Sequence, residues 1–127
     1  MITLDHISTT IVKLRFLSYN RAMADDRIPP HPDPSAIPFQ QVLEALVDPV
    51  RRSIVTQLSA SPDDVRCGGF DLPVSTSTAT HHFKVLREAG LIRQYYVGTS
   101  RMNTLRRDEV DAAFPGLLKA VTTADSA

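Results

Sequence analysis

Between Ser75 and Arg87 the chain concentrates small hydroxyls, imidazoles and cations: Ser75, Thr76, Ser77, Thr78, Thr80, His81, His82, Lys84 and Arg87. Hydroxyl and imidazole groups exchange hydrogen bonds with base edges and phosphates, and the cations neutralise phosphate charge. The same residues make a poor catalytic or metal set. Adjacent His81 and His82 project about 100° apart on a helix, unlike paired helical metal ligands at i, i+4. Cys67 is the single cysteine, which excludes an intrachain disulfide framework and a Cys-rich zinc site within one chain. Neither enzymatic activity, nor a metal, nor a cofactor is expected.

A helix must display these groups. Ser75 can cap the amide of Ser77 or Thr78, and Ala79, Phe83 and Leu86 keep one apolar face. Gly90 supplies a left-handed C′ residue with Leu91 as its apolar partner, so a helix is predicted from Thr76 to about Ala89. Its opposite face carries Thr76, Ser77, Thr80, His81, Lys84 and Arg87. The N-terminal half of such a helix also favours phosphate through its dipole. His82, beside Phe83, reads as a packed histidine bonded to nearby backbone and stays outside the contact set.

Charge is distributed to match. The 127 residues carry 14 basic and 14 acidic side chains, a formal net charge of zero. From Val74 to Arg107, however, Lys84, Arg87, Arg93, Arg101, Arg106 and Arg107 face Glu88 alone. A basic stretch within a neutral protein is an electrostatic footprint for nucleic acid without the indiscriminate binding of a uniformly basic chain.

Other elements frame the helix. Phe39, Val42, Leu43 and Leu46 recur at helical spacing after Pro38. Asp48-Pro49 caps and opens a second helix with an apolar stripe at Val50, Ile54, Val55 and Leu58. Arg51 and Arg52 fall off that stripe, free for flanking phosphate or surface ion pairs. Ser61 to Asp64 reads as a loop, and Gly68 to Pro73 leaves room for a short irregular helical turn. Ile92 to Val97 and Arg101 to Leu105 are strand-prone around Gly98-Thr99-Ser100, a hairpin pattern. Asp108 caps a last helix through Val110, Phe114, Leu117, Leu118 and Val121, which Pro115 should kink or split. Ahead of all this, Val12, Leu14 and Phe16 alternate with Lys13 and Arg15 as a strand would, and five prolines follow between Pro29 and Pro38. Residues 1–36 therefore read as an arm and proline-rich linker, 37–122 as one domain and 123–127 as a tail. Lys13 and Arg15 break the only apolar run near the N-terminus, so neither signal peptide nor membrane span is expected and the location reads as cytoplasmic.

The run from Ser75 to Ile92 resembles the recognition-helix signature of the ArsR family of bacterial repressors, and Asp48 to Arg52 resembles that family's second-helix opening. The resemblance covers roughly Phe39 to Val121. It implies a mainly α fold with a small β-hairpin, the dimeric winged helix-turn-helix. It further implies a homodimer on double-stranded DNA, repression at an inverted-repeat operator, and release by an inducer, a small molecule or, through Cys67 below, an oxidant. On that reading Ser75, Thr76, Ser77, Thr80, His81, Lys84, Arg93 and Arg101 contact DNA. Phe39, Val42, Leu43, Leu46, Phe114, Leu117, Leu118 and Val121 form the dimer interface. Two departures bear on the signal. Soft-metal sensors of the family carry a Cys-x-Cys-type site where this chain has Cys67-Gly68-Gly69, and zinc sensors use histidine in a last segment that here, from Asp108 to Ala127, has none. Cys67, near Arg66 and a Gly-Gly pair, is the candidate redox switch. The alternative is a winged-helix module for protein–protein assembly that never binds DNA.

Overall fold

The computed structural model describes Arg27 and residues 29–124. The strand hint at Val12 to Phe16 lies outside these residues. Helix α1 spans Phe39–Leu46 and α2 spans Pro49–Ala60, with strand β1 at Val65–Arg66 after them. The chain continues through α3 (Thr76–Glu88), β2 (Ile92–Val97), β3 (Ser100–Leu105), α4 (Arg107–Ala113) and α5 (Leu117–Ala124). Short 3-10 turns occupy Pro34–Ala36 and Cys67–Gly69.

Local chemistry sets most boundaries. Asp48 Oδ1 accepts the amides of Val50 (2.8 Å) and Arg51 (3.3 Å), with Pro49 at N1. Burial raises the Asp48 pKa, but these bonds and the Arg51 charge outweigh it and hold the carboxylate below its usual range. Ser75 Oγ accepts the Thr78 amide at 3.2 Å and starts α3. At the other end Leu91 N–H bonds Leu86 O and Gly90 N–H bonds Arg87 O, both at 3.0 Å, the paired bonds of a Schellman cap. Gly90 has φ +76°, and a Cβ there would sit 3.2 Å from Pro34 Cα, so both conformation and space call for glycine. The Pro115 break divides the last helical stretch into α4 and α5. Asp108 does not cap it: Arg106 occupies the cap position and Asp108 lies within the first turn.

A core of Val42, Ala45 and Leu46 (α1), Ile54, Val55 and Leu58 (α2), Ala79, Phe83 and Leu86 (α3), Leu91, Ile92, Val110 and Leu118 joins helices to sheet. The sheet has three strands in the order β1-β3-β2, all pairs antiparallel. β2 and β3 close on a two-residue loop, Gly98-Thr99, since Val97 pairs with Ser100. Gly98 has φ +60° and Thr99 does not, the type II′ pattern. Strand β1 is an addition to the expected hairpin. Its two residues pair with Asn103 and Met102, and Asn103 Nδ2 also donates to Val65 O at 3.1 Å. The whole is a winged helix-turn-helix: α3, preceded by the short turn at Cys67–Gly69, is placed as its second helix, and the sheet forms the wing.

The proline segment is docked. β2 is an edge strand, and an uncovered edge invites pairing with another chain. His31 Nε2 accepts the Gln94 amide at 2.9 Å, Arg106 Nη1 donates to Pro32 O, and Pro34 is buried against Gly90. The linker is thus a strap along β2.

His31 accepts through Nε2, so that nitrogen must be unprotonated. Burial, then the nearby charges of Arg93, Arg106 and Arg87, lower its pKa from 6.5 to about 4. Because the folded pKa lies below the unfolded one, the stability that the docked strap contributes is complete above pH 6.5 and lost as pH falls from 6.5 toward 4. The melting temperature should decline across that window, and less steeply in His31→Gln; identical pH profiles for the two proteins would contradict the assignment.

Candidate nucleic-acid interface

Helix α3 is two-sided. Ala79, Phe83 and Leu86 face the core, where the Phe83 ring meets that of Phe70 at 5.3 Å. Ser75, Thr76, Ser77, Thr80, His81 and Lys84 are all exposed on the other side. Two of the hydroxyls also serve the backbone. Ser75 Oγ holds the cap and donates to Thr78 Oγ1 at 3.0 Å, while Thr80 Oγ1 donates to Thr76 O at 2.9 Å. Thr80 therefore presents lone pairs outward, and Thr76, Ser77, His81 and Lys84 supply the donors.

Three basic residues expected at the surface are used internally. Arg87 is 5% exposed, not on the outer face. It lies four residues after Phe83, on the buried side, and its Nη1 donates to Gln94 Oε1 at 2.6 Å. Burial, then the positive charge of Arg101, lowers its pKa. Arg51 donates to Ala45 O (2.6 Å) and Glu44 O (3.2 Å), and Arg52 to Leu46 O (3.0 Å) and Val47 O (2.9 Å). Both arginines thereby satisfy carbonyls at the C-terminal end of α1, where a helix leaves acceptors unpaired and favours positive charge. His82 is packed as expected, but its partner is a side chain: Arg51 Nη1 donates to His82 Nδ1 at 3.1 Å. That contact requires an unprotonated Nδ1, and burial lowers the His82 pKa despite the opposing charge of Asp48.

The wing separates Arg93 from Arg101. Cross-strand partners share a face, so the pairs Tyr96–Arg101 and Gln94–Asn103 lie on one side of the sheet and Arg93–Thr104 and Tyr95–Met102 on the other. Arg93 bonds Glu109 at 3.2 Å, and the Tyr95 hydroxyl donates to Asp64. Arg101 lies beside Tyr96, its guanidinium carbon 5.4 Å from the ring centre, and its Nε is buried without a hydrogen-bond partner.

A buried polar chain ties α3 to this wing. From Gln94, 2% exposed, Nε2 donates to Asn103 Oδ1 at 2.8 Å; Asn103, fully buried, donates onward through Nδ2 to Val65 O and, at 3.2 Å, to Cys67 Sγ. Cys67 is half-buried at this junction, where its Sγ accepts from Asn103 Nδ2 at 3.2 Å and Gln94 Nε2 at 3.8 Å.

The expected dimer set divides. Val42 (0% exposed), Leu46 (5%) and Leu118 (2%) fill the chain's own core, because α1 and α5 each turn one apolar side inward. Phe39 and Leu43 remain exposed, at 50% and 42%. Phe39 stacks on Phe114 at 5.4 Å, and Phe114, Leu117 and Val121 are half-buried. Among the described residues, no three His, Cys, Asp or Glu side chains converge as a metal site.

Comparison with known proteins agrees with this geometry. The family model for bacterial regulatory proteins of the arsR family matches residues 48–94. An uncharacterized HTH-type transcriptional regulator of Bacillus subtilis, YceK, is 34% identical over 83 residues, covering 64% of this chain and 83% of that protein. The HTH-type transcriptional regulator Rv2034 of Mycobacterium tuberculosis is 40% identical over 62 residues, 49% of this chain and 58% of that one. Among solved structures, an ArsR-like transcriptional regulator from Rhodococcus sp. RHA1 superposes with a TM-score of 0.52 at 25% identity, covering 68% of this chain and 82% of its own.

Proposed function

The chain belongs to the arsR family of bacterial regulatory proteins, and from that premise we propose that it is a homodimeric repressor reading an inverted-repeat operator in double-stranded DNA. The observation that carries the reading is the exposed row Thr76, Ser77, Thr80, His81 and Lys84 on a helix whose other side is locked into the core. A rigid helix with exposed polar groups at its N-terminal half is the arrangement that enters a major groove. Arg101 on the wing supplies a flanking contact, and its planar, permanently charged group suits phosphate or a narrow minor groove. Arg93, bound to Glu109, plays a supporting part at the base of the wing. Ser75 acts mainly by fixing the start of the helix. No described helix is long and apolar enough to cross a membrane, and a regulator of this kind works in the cytoplasm, where bacterial DNA lies.

The dimer uses the exposed half of the apolar stripe: Phe39, Leu43, Phe114, Leu117 and Val121. A twofold axis there would set two copies of α3 about 34–36 Å apart, one helical turn of DNA. Leu43→Glu should dissociate the dimer while leaving each monomer folded, whereas a charge at Leu118 would disrupt the core. Sedimentation at micromolar concentration reads this directly; a wild-type monomer would overturn the dimer.

On DNA, Thr80→Ala and His81→Ala should each cost about 1–3 kcal/mol at one or two base positions and relax the sequence preference there. Arg101→Ala should instead weaken all duplexes and flatten the salt dependence. Titration of a labelled duplex across salt concentrations distinguishes the two effects. A wild-type protein that retains no duplex would favour a protein–protein assembly module.

On this reading Cys67 is the candidate redox switch for release from DNA. Its Sγ accepts from Asn103 at the junction of β1, β3 and the polar chain that reaches α3. Hydrogen peroxide would convert the thiol to a sulfenic acid with release of water, adding an oxygen where the sulfur packs against the core and the Asn103 and Gln94 amides. DNA affinity should fall on mild peroxide treatment of the wild type and hold in Cys67→Ser; an equal response in both removes the thiol switch.

A further inference from the structure

One guanidinium joins three helices. Arg51, in the first turn of α2, donates through Nε to Ala45 O at 2.6 Å and through Nη2 to Glu44 O at 3.2 Å, both near the end of α1. Its third nitrogen, Nη1, donates to His82 Nδ1 on α3 at 3.1 Å. Helix α1 carries the exposed Phe39 and Leu43, and on α3 His82 directly follows the exposed His81. The contact therefore stands between the helix that offers the apolar stripe and the helix that offers the polar row.

The two sides of this joint are unequally held. Arg51 keeps its α1 carbonyls whatever the imidazole does, whereas its hold on α3 is the bond to His82. Arginine is always protonated, so that bond exists only while Nδ1 has a free lone pair. A proton on Nδ1 would set two donors and two like charges face to face at 3.1 Å. His82 is 7% exposed, so an imidazolium there stays beside Arg51 unless α3 shifts. The charged and titratable groups around the ring are Asp48 and Arg51 from the start of α2 and His81 from α3, its ring centre 6.0 Å away. From α1, the Glu44 carboxylate is bonded to Gln40 Nε2 at 3.1 Å. Asp48 alone favours the proton, and its Oδ1 already accepts the Val50 and Arg51 amides. Burial, with the charges of Arg51 and His81, outweighs Asp48 and holds the His82 pKa below its ordinary 6.5. Because the folded value is the lower one, the contact is complete above pH 6.5 and lost as pH falls through that lowered value.

We propose that the Arg51–His82 contact is a positioning joint that fixes the reading helix α3 to α1, and that a proton on His82 opens it and loosens the grip on DNA. The proposal rests on the DNA-binding reading above and adds to it a buried residue that touches no DNA and a proton as a signal. His82 acts through the placement of Thr80, His81 and Lys84 on the same helix.

The test measures affinity for one duplex, selected for binding to the wild type at about pH 8, down to about pH 5, the range that spans histidine titration. Wild type, His82→Asn and His82→Leu are compared. Asparagine sets an amide oxygen near the position of Nδ1 and does not titrate, while leucine offers no acceptor. At the alkaline end, wild type and His82→Asn should bind alike and His82→Leu about ten-fold more weakly, the scale of one hydrogen bond to a charged group. Toward the acid end, wild-type affinity should fall by about the same factor relative to His82→Asn and approach that of His82→Leu. The other histidines are common to all the proteins, so their effects cancel in these ratios. Should leucine upset the packing, the ratio of wild type to His82→Asn decides alone. A ratio that stays flat, or rises, as pH falls would overturn the joint. A wild-type protein that binds no duplex even at the alkaline end sinks the DNA-binding reading itself, and the joint with it.

Discussion

The recognition helix and the wing depend on one line of buried hydrogen bonds for their mutual placement. Arg87 donates to Gln94, Gln94 to Asn103, and Asn103 to the carbonyl of Val65 and the sulfur of Cys67. Every link runs from donor to acceptor in the same direction, so the line has a single consistent assignment of amide orientations. An unpaired buried donor or acceptor costs about 1–3 kcal/mol, a sizeable part of a small domain's stability. Each of these side chains would be expensive to bury alone, and they are tolerable together only when α3, β2, β3 and β1 hold their observed relation. Apolar packing alone is less exacting about register, and a reading head and a wing that slide against each other cannot grip one duplex together.

The same logic explains how the charge is spent. The basic stretch looks uniform in the sequence, yet its members do different work. Arg87 anchors the polar line, while Arg106 and Arg93 meet Glu109, with Arg106 also holding the strap through Pro32. Arg107 bonds Ser59 on α2. What remains for DNA is narrower than composition suggests and sits on the outer row of α3 and the tip of the wing. Hydroxyls dominate that row, which favours discrimination between bases over bulk attraction.

How much of this was legible depended on the reach of the interaction responsible. Asp48-Pro49, Ser75 and Gly90-Leu91 act within a few residues of themselves, and the helix boundaries they announce are the ones observed. Pro115 divides the last helical stretch because it cannot donate the bond its position requires. The inward turn of Arg87 is written in its spacing, four residues after Phe83, although its charge by itself favours the solvent side. β1 was not legible: two residues form a strand only because Asn103, far along the chain, offers both a ladder partner and a side-chain donor. The capping roles of Arg51 and Arg52 likewise exist only once α1 ends against α2. On α1, residues facing core and residues facing out are both apolar, so spacing marked the stripe without dividing it.

The strap adds a constraint that proline content did not disclose. Five prolines suggested an extended connection, but a 3-10 turn interrupts it at Pro34–Ala36 and His31 and Arg106 fasten it beside β2. His31 thereby covers part of the edge that might pair with another chain; among the described residues Val47 and Val97 are also exposed, while Phe39 and Leu43 share the surface around Phe114. Twofold pairing through that surface, with α3 outward, is the central claim. Selection of binding sites from random duplexes at a fixed salt concentration tests it most directly. The account predicts enrichment of an inverted repeat whose half-site centres lie about 10–10.5 base pairs apart, or a multiple of that. Recovery of no enriched sequence, or of a single unrepeated half-site, would contradict it.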